Sequence, residues 1–172
     1  MFTLRKATKE DAELIYTLAL QVFPPTYREI LSPEQLDWML NWMYAPANTQ
    51  RAMDEGQAYF ILSQDDQNCG YFSIQQEDTD LFHLQKIYVL PGYQGTGVGR
   101  YLFEAAIAYI QGIHPEPFAL ELNVNRDNKA ITFYQKMGMT IVREGDFPIG
   151  NGYFMNDYIM RLDVKQSGSA DI

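Results

Sequence analysis

The pattern of apolar and polar positions changes period along the chain, and each change predicts an element. "FTLRKA" alternates like a half-buried strand. In "TKED" Thr8 stands three residues before Asp11, an N-cap with an acid in the first turn, so a helix is expected to begin there. Ala12, Ile15, Leu18, Ala19 and Val22 keep helical spacing until "FPP", whose two prolines remove backbone donors and predict an end near Phe23. "SPEQLDWMLNWMY" offers Ser32 as N-cap, Pro33 at the first helical position, and Leu36, Met39, Leu40 and Met43 on one face of a second helix. Trp38 and Trp42, with Tyr27, Tyr44 and the methionines, make an aromatic patch whose expected role is core packing, with a substrate-facing wall or a dimer surface as the alternatives. A weaker helical stretch over 47–55 closes at Gly56.

Three strands follow, "AYFILS", "CGYFSIQQE" and "LFHLQKIYVL", separated by the turns "QDDQN" and "DTD". Connections this short force antiparallel neighbours, so these strands form a meander. After a glycine-rich loop, residues 98–111 return to helical spacing, "GIHPEP" breaks it, and "FALELNV" is a strand. Strand, helix, strand in that order makes a right-handed crossover between parallel strands. A helix over 128–137, closed by Gly138, and the strands "TIVRE" and "YFMNDYIMRLD" complete an α+β chain: a mixed sheet of about seven strands with about four helices. The pattern predicts one domain over 1–164 and a disordered tail over 165–172.

Composition narrows the function. The 172 residues allow one sizeable core, and 47% hydrophobic residues with no bilayer-length apolar run give no membrane partner. The opening "MFTLRKATKED" has no secretory pattern, so a cytoplasmic location is expected. A formal net charge of −9 argues against a nucleic-acid partner, and the single cysteine, Cys69, has no metal-type neighbours in sequence, so no metal is expected.

The loop "YQGTGVG" carries the chemistry. A P-loop would end in Gly-Lys-Ser/Thr, whereas Arg100 and Tyr101 stand here; a dinucleotide fingerprint would put its third glycine at Arg100. What remains is a helix N-terminus with free backbone N–H groups and little Cβ bulk, a place for phosphate oxygens.

With that loop and "LNVNRDNKAITFYQKMGM" downstream, the chain resembles the GNAT N-acetyltransferases. Gln94, Gly97 and Gly99 occupy the fixed positions of their Q/R-x-x-G-x-G/A acetyl-CoA signature. The resemblance implies a GNAT-like seven-stranded mixed sheet whose parallel strands four and five splay apart, with acetyl-CoA as cosubstrate. It implies that the backbone of Ile87, Tyr88 and Val89 holds the pantetheine arm and that Gln94, Gly95, Thr96, Gly97, Val98, Gly99 and Arg100 surround the pyrophosphate. Asn125 and Asn128 would bond the arm, Asn128 also capping its helix, and Tyr134 would protonate the departing thiolate. The reaction the resemblance implies is direct attack of a primary amine on the thioester in a ternary complex, and the amine's proton would need a base: His83, Glu77, Asp80 and Asp157 are the candidates. His114, before a proline, is expected to be exposed.

"FPPTYREILSPEQLDWMLNWMY" and "GNGYFMNDYIMRLD" are similar to bacterial spermidine/spermine acetyltransferases, which implies a polyamine acceptor. A protein N-terminus or another small amine is the alternative, and a non-catalytic acyl-CoA sensor is a reading of another class. A homodimer is the expected assembly.

Overall fold

A computed structural model describes residues 1–165; of the tail expected to be disordered, 166–172 lie outside the described residues. Strands β1 (Phe2–Lys6), β2 (Ala58–Gln64), β3 (Gln67–Asp78), β4 (Leu81–Val89), β5 (Phe118–Asn125), β6 (Thr140–Gly150) and β7 (Tyr153–Val164) form one sheet in the order β1-β2-β3-β4-β5-β7-β6. The first four pair antiparallel, and β2, β3 and β4 form a meander. Its β2–β3 turn places Asp65 and Asp66 at φ 50° and 66°, the doubly left-handed geometry that suits a two-residue hairpin.

Among the described residues there are five α-helices: α1 (Ala12–Tyr27), α2 (Pro33–Tyr44), α3 (Pro46–Asp54), α4 (Val98–Ile113) and α5 (Ala130–Lys136). Ser32 caps α2 as its sequence predicts, its hydroxyl accepting the Gln35 N–H at 3.1 Å. No described helix is long and apolar enough to cross a membrane. The helix α4 carries the chain from β4 to the parallel β5.

Helix α1 departs from the sequence expectation: it runs through Pro24 and Pro25 to Tyr27 rather than stopping near Phe23. The two missing N–H groups would have bonded the carbonyls of Leu20 and Gln21, both exposed residues that water can serve. The final turn is held instead by Thr26 Oγ1 donating to the Val22 carbonyl at 2.7 Å and the Arg28 N–H donating to that of Pro24 at 2.9 Å. The added turn brings Tyr27 to the cleft described below. Strand β6 also outruns its prediction, passing through Pro148, which a strand at the sheet edge tolerates.

Helices cover both faces of the sheet. On one, Val98, Leu102, Ala106 and Ile110 of α4 lie against Phe72, Leu84, Leu120 and Leu122. On the other, Ile15, Leu18 and Val22 of α1 meet Tyr59, Ile61 and Tyr71, while Ala19 and Phe23 join α1 to Met39, Leu40 and Tyr44 of α2. Each fully buried side chain of this size stabilises the fold by about 1.5–3 kcal/mol.

Gly70 ties this packing to the site. A Cβ there would lie 2.6 Å from the Tyr88 carbonyl oxygen and 2.8 Å from Leu102 Cδ1, so β4 can approach α4 only over a bare residue. Gly70→Ala is expected to destabilise the protein by about 1–3 kcal/mol, the usual range for overpacking, as a lower urea midpoint with unchanged slope.

Candidate active site

The parallel pairing of β4 with β5 is confined to Leu81↔Ala119, Phe82↔Leu120 and His83↔Glu121. Both strands continue, but apart, and a cavity of about 820 Å³ opens between Leu84–Val89 on one side and Leu122–Val124 on the other. Backbone groups of β4 on this edge have no strand partner, which invites an extended ligand to supply one.

The glycine turn closes one end of the cavity. Gly95 and Gly97 have φ 78° and 93°, and a Cβ on either would meet nothing within 4 Å, so the backbone there is bent and open to approach. Gly97 is the N-cap of α4, whose first N–H groups therefore face this space without intrahelical partners. Gly99 serves packing: a Cβ on it would press on the Phe133 ring at 3.3 Å. Gln94 Nε2 donates to the Val89 carbonyl at 3.3 Å and anchors the turn to the end of β4, while the Thr96 hydroxyl donates to the Tyr93 carbonyl. Thr96 and Arg100 are exposed, and Val98 is in the core, contributing only backbone to the turn. Unpaired strand edge, open bent turn and helix start together fit a long ligand with a diphosphate.

Tyr134 of α5 lines the same cavity with Phe133. It is buried, its hydroxyl has no hydrogen-bond partner among the described residues, and burial holds its pKa above the ordinary phenol value. Asn128 also lines it, its Oδ1 accepting the Ala130 N–H at 2.9 Å and its Nδ2 donating to the Tyr27 hydroxyl at 3.3 Å. Asn125 faces elsewhere: it lines a second cavity of about 610 Å³, and its Oδ1 accepts the Asp127 N–H at 2.8 Å. The two cavities meet at Tyr27, Gln85, Lys86, Tyr88 and Asn123, which line both. A ligand along β4 and a second molecule in the other cavity would therefore touch.

Residues 28–148 match the family described as "Acetyltransferase (GNAT) domain". The chain belongs to the GNAT acetyltransferase family. An uncharacterized N-acetyltransferase of Mycobacterium bovis is 28% identical over 152 residues, 87% of this chain and 96% of that protein, and one of Mycobacterium tuberculosis matches equally. In fold the chain is similar to a PaiA N-acetyltransferase from Thermoplasma acidophilum in complex with coenzyme A, with TM-score 0.78 and 20% identity over 95% of this chain and 99% of that one. It is also similar to the ribosomal-protein-S18-alanine N-acetyltransferase of Escherichia coli, with TM-score 0.71 and 21% identity over 99% and 98%. The GNAT chain is an acetyl-CoA-dependent N-acetyltransferase, with acetyl-CoA as its cosubstrate.

Three of the four candidate bases of this GNAT site line the smaller cavity, an open cleft: Glu77, His83 and Asp157. His83 Nδ1 lies 3.2 Å from Glu77 Oε1. Asp157 is buried, accepts from Asn123 Nδ2 at 3.2 Å, and has its pKa raised by desolvation against the opposing effect of that bond and of Arg126. Asp80 is elsewhere, in the β3–β4 turn, where its carboxylate meets His114 Nε2 at 2.9 Å. That contact, with the Phe82 and Phe118 rings at 5.4 and 6.2 Å, keeps His114 from the exposure its sequence suggested. The aromatic patch of α2 divides: Met39, Met43 and the exposed Trp42 line the cleft, while Trp38 packs on Tyr153.

Two bulges aim these side chains. Opposite Ser73 and Ile74 stand Lys86 and Leu84, so Gln85 is an extra residue in β4, and Glu77 is likewise extra in β3. The bulge at Gln85 flips the alternation of β4. Phe82 and Leu84 before it, and Ile87 and Val89 after it, pack toward α4, whereas His83, Gln85, Lys86 and Tyr88 line the cleft. Strict alternation put Ile87 on the face of His83 and so hid Lys86. The one signal for Lys86 was a lysine inside a mostly apolar strand.

Lys86 is partly buried where the cavities meet. Its Nζ donates to the Tyr59 hydroxyl at 3.3 Å and lies 5.8 and 5.6 Å from the Tyr44 and Tyr59 ring centroids. Desolvation pulls its pKa from 10.5 down to about 8. Between about 8 and 10.5 the unfolded chain holds a proton that the folded chain has released, so this group makes stability rise with pH across that window. Lys86→Met is expected to melt above the wild type at pH 7, and the gap to narrow as the pH is raised through the window, in calorimetric scans of both proteins.

Proposed function

We propose that this GNAT enzyme transfers the acetyl group of acetyl-CoA to a small primary amine by direct attack in a ternary complex, with Tyr134 donating a proton to the departing sulfur. The observation that carries this reading is the opening between β4 and β5, lined on one side by the unpartnered Tyr134 hydroxyl and continuous with a separate acceptor cleft. Ile87, Tyr88 and Val89 hold the pantetheine arm through their backbone, and the N–H groups of Gly95 to Arg100 hold the pyrophosphate at the positive end of α4. When bound, the cosubstrate supplies an activated acyl carbon.

The acceptor arrives as an ammonium ion, with an ordinary pKa of about 10.4, and must lose its proton before attack. In this reading His83, which lines the cleft with its Nδ1 engaged by Glu77, takes it on the other ring nitrogen. A polyamine acceptor has the net charge of −9 in its favour. The cleft itself is mixed, with Arg51 and Lys86 beside Glu55, Glu77 and Asp157.

Thiol release from acetyl-CoA is the test, run with polyamines, amino acids, amino acid amides and an acceptor-free control. Saturable release with one amine class is expected, and release independent of amine would overturn the reading. Tyr134→Phe should lower kcat by about 10²–10⁴-fold, the usual worth of a positioned acid, with coenzyme A affinity retained by calorimetry. An unchanged kcat would remove Tyr134 from the mechanism.

A further inference from the structure

We infer that the acceptor carries a carboxylate within a few bonds of its reacting amine, and that Lys86 receives that carboxylate, which makes a small α-amino acid the substrate class. The inference rests on the acetyl-transfer reading above. Its starting point is the pairing of Lys86: among the described residues no Asp or Glu meets its ammonium, whose contacts are one tyrosine hydroxyl and two tyrosine rings. Of the carboxylates that line the same cleft, Glu77 is turned to His83 and Asp157 to Asn123, and Glu55 makes no ion pair with Lys86. A cation drawn from water without a counter-charge is costly, and such groups concentrate where a ligand completes them.

Position sets the geometry of that ligand. Lys86 lines both cavities, so it stands at the neck where an amine must wait to reach the acyl carbon. An anionic group meeting Lys86 there is necessarily close to the reacting nitrogen, as in an α-amino acid. A polyamine would instead bring its own positive charge against Lys86. Phe23, Leu31, Met39, Met43 and Trp42 supply an apolar wall further along the cleft, suited to an apolar side chain.

The experiment compares L-leucine and L-phenylalanine with leucinamide, phenethylamine and spermidine, by thiol release and by calorimetric binding to the coenzyme A-loaded enzyme. The amino acids should be preferred over the analogues that lack the carboxylate by about tenfold to a hundredfold, the worth of one charge-assisted hydrogen bond. Lys86→Met should raise KM for the amino acids by a similar factor with kcat nearly kept, change KM for the amides much less, and be partly rescued by Lys86→Arg. Preference for spermidine, or an equal loss of kcat for every acceptor in Lys86→Met, would overturn the inference while leaving acetyl transfer intact. If no amine releases thiol beyond the acceptor-free control, the acetyl-transfer reading fails and this inference falls with it. The melting scans of Lys86→Met separate a folded variant from a lost one.

Discussion

The structure depends on a strand pairing that stops. β5 is bonded to β7 along its whole length, from Phe118 to Asn125, and β4 to β3 from Leu81 to Val89. Each is thus secured on one edge, and the sheet survives having the two inner edges joined only as far as His83 and Glu121. A complete ladder would satisfy more backbone but leave no cavity. The cost of the unmade bonds is a few kcal/mol at most where water reaches them, and a bound pantetheine arm would recover part of it. Rigid flanking strands also mean that the gap is preformed, so binding need not reorder the sheet.

The second constraint is the bulge at Gln85, which falls two residues past the last β4–β5 pair. It lets one strand serve two layers. Ile87 and Val89 stay in the α4 core beside the larger cavity, while Lys86 and Tyr88 turn toward the smaller one. Without the extra residue the side chains after the splay would exchange faces, placing a lysine in the core and two apolar residues in the cleft. Splay and bulge therefore act together, the first making space and the second choosing what lines it.

Much of this fold was legible in the sequence because it rests on local signals. Ser32 with Pro33, the short turns of the meander, and the strand, loop, helix, strand order each specify geometry within a few residues. The glycine turn was legible for the same reason, although only Gly95 and Gly97 need left-handed backbone, and Gly99 is bare so that Phe133 can pack. What escaped was non-local. The run of α1 through two prolines depends on which carbonyls face water, and the role of Lys86 depends on a bulge set by the partner strand. Asp80 and Glu77 are equivalent as acids near one turn, and only the fold sends one to His114 and the other to His83.

In the proposed reaction, burial acts on the acid and on the leaving group alike. Burial raises the pKa of Tyr27, Tyr88 and Tyr134, which line the cavities, and of Tyr44 and Tyr71, which pack on Tyr88, so these phenols keep their protons. Taken alone, that makes Tyr134 a poor donor. A thiolate released into the same surroundings is desolvated too, and its own proton affinity rises with that of the phenol. Their ordinary values, about 10 for a phenol and about 8.5 for a thiol, differ little, and a shared medium that raises both preserves this near match. Proton transfer between them then needs little driving force, whereas the same thiolate facing water beside a buried phenol would have no reason to take the proton. In the proposed reaction, enclosure of Tyr134 and the departing sulfur in one cavity is what lets a reluctant acid act.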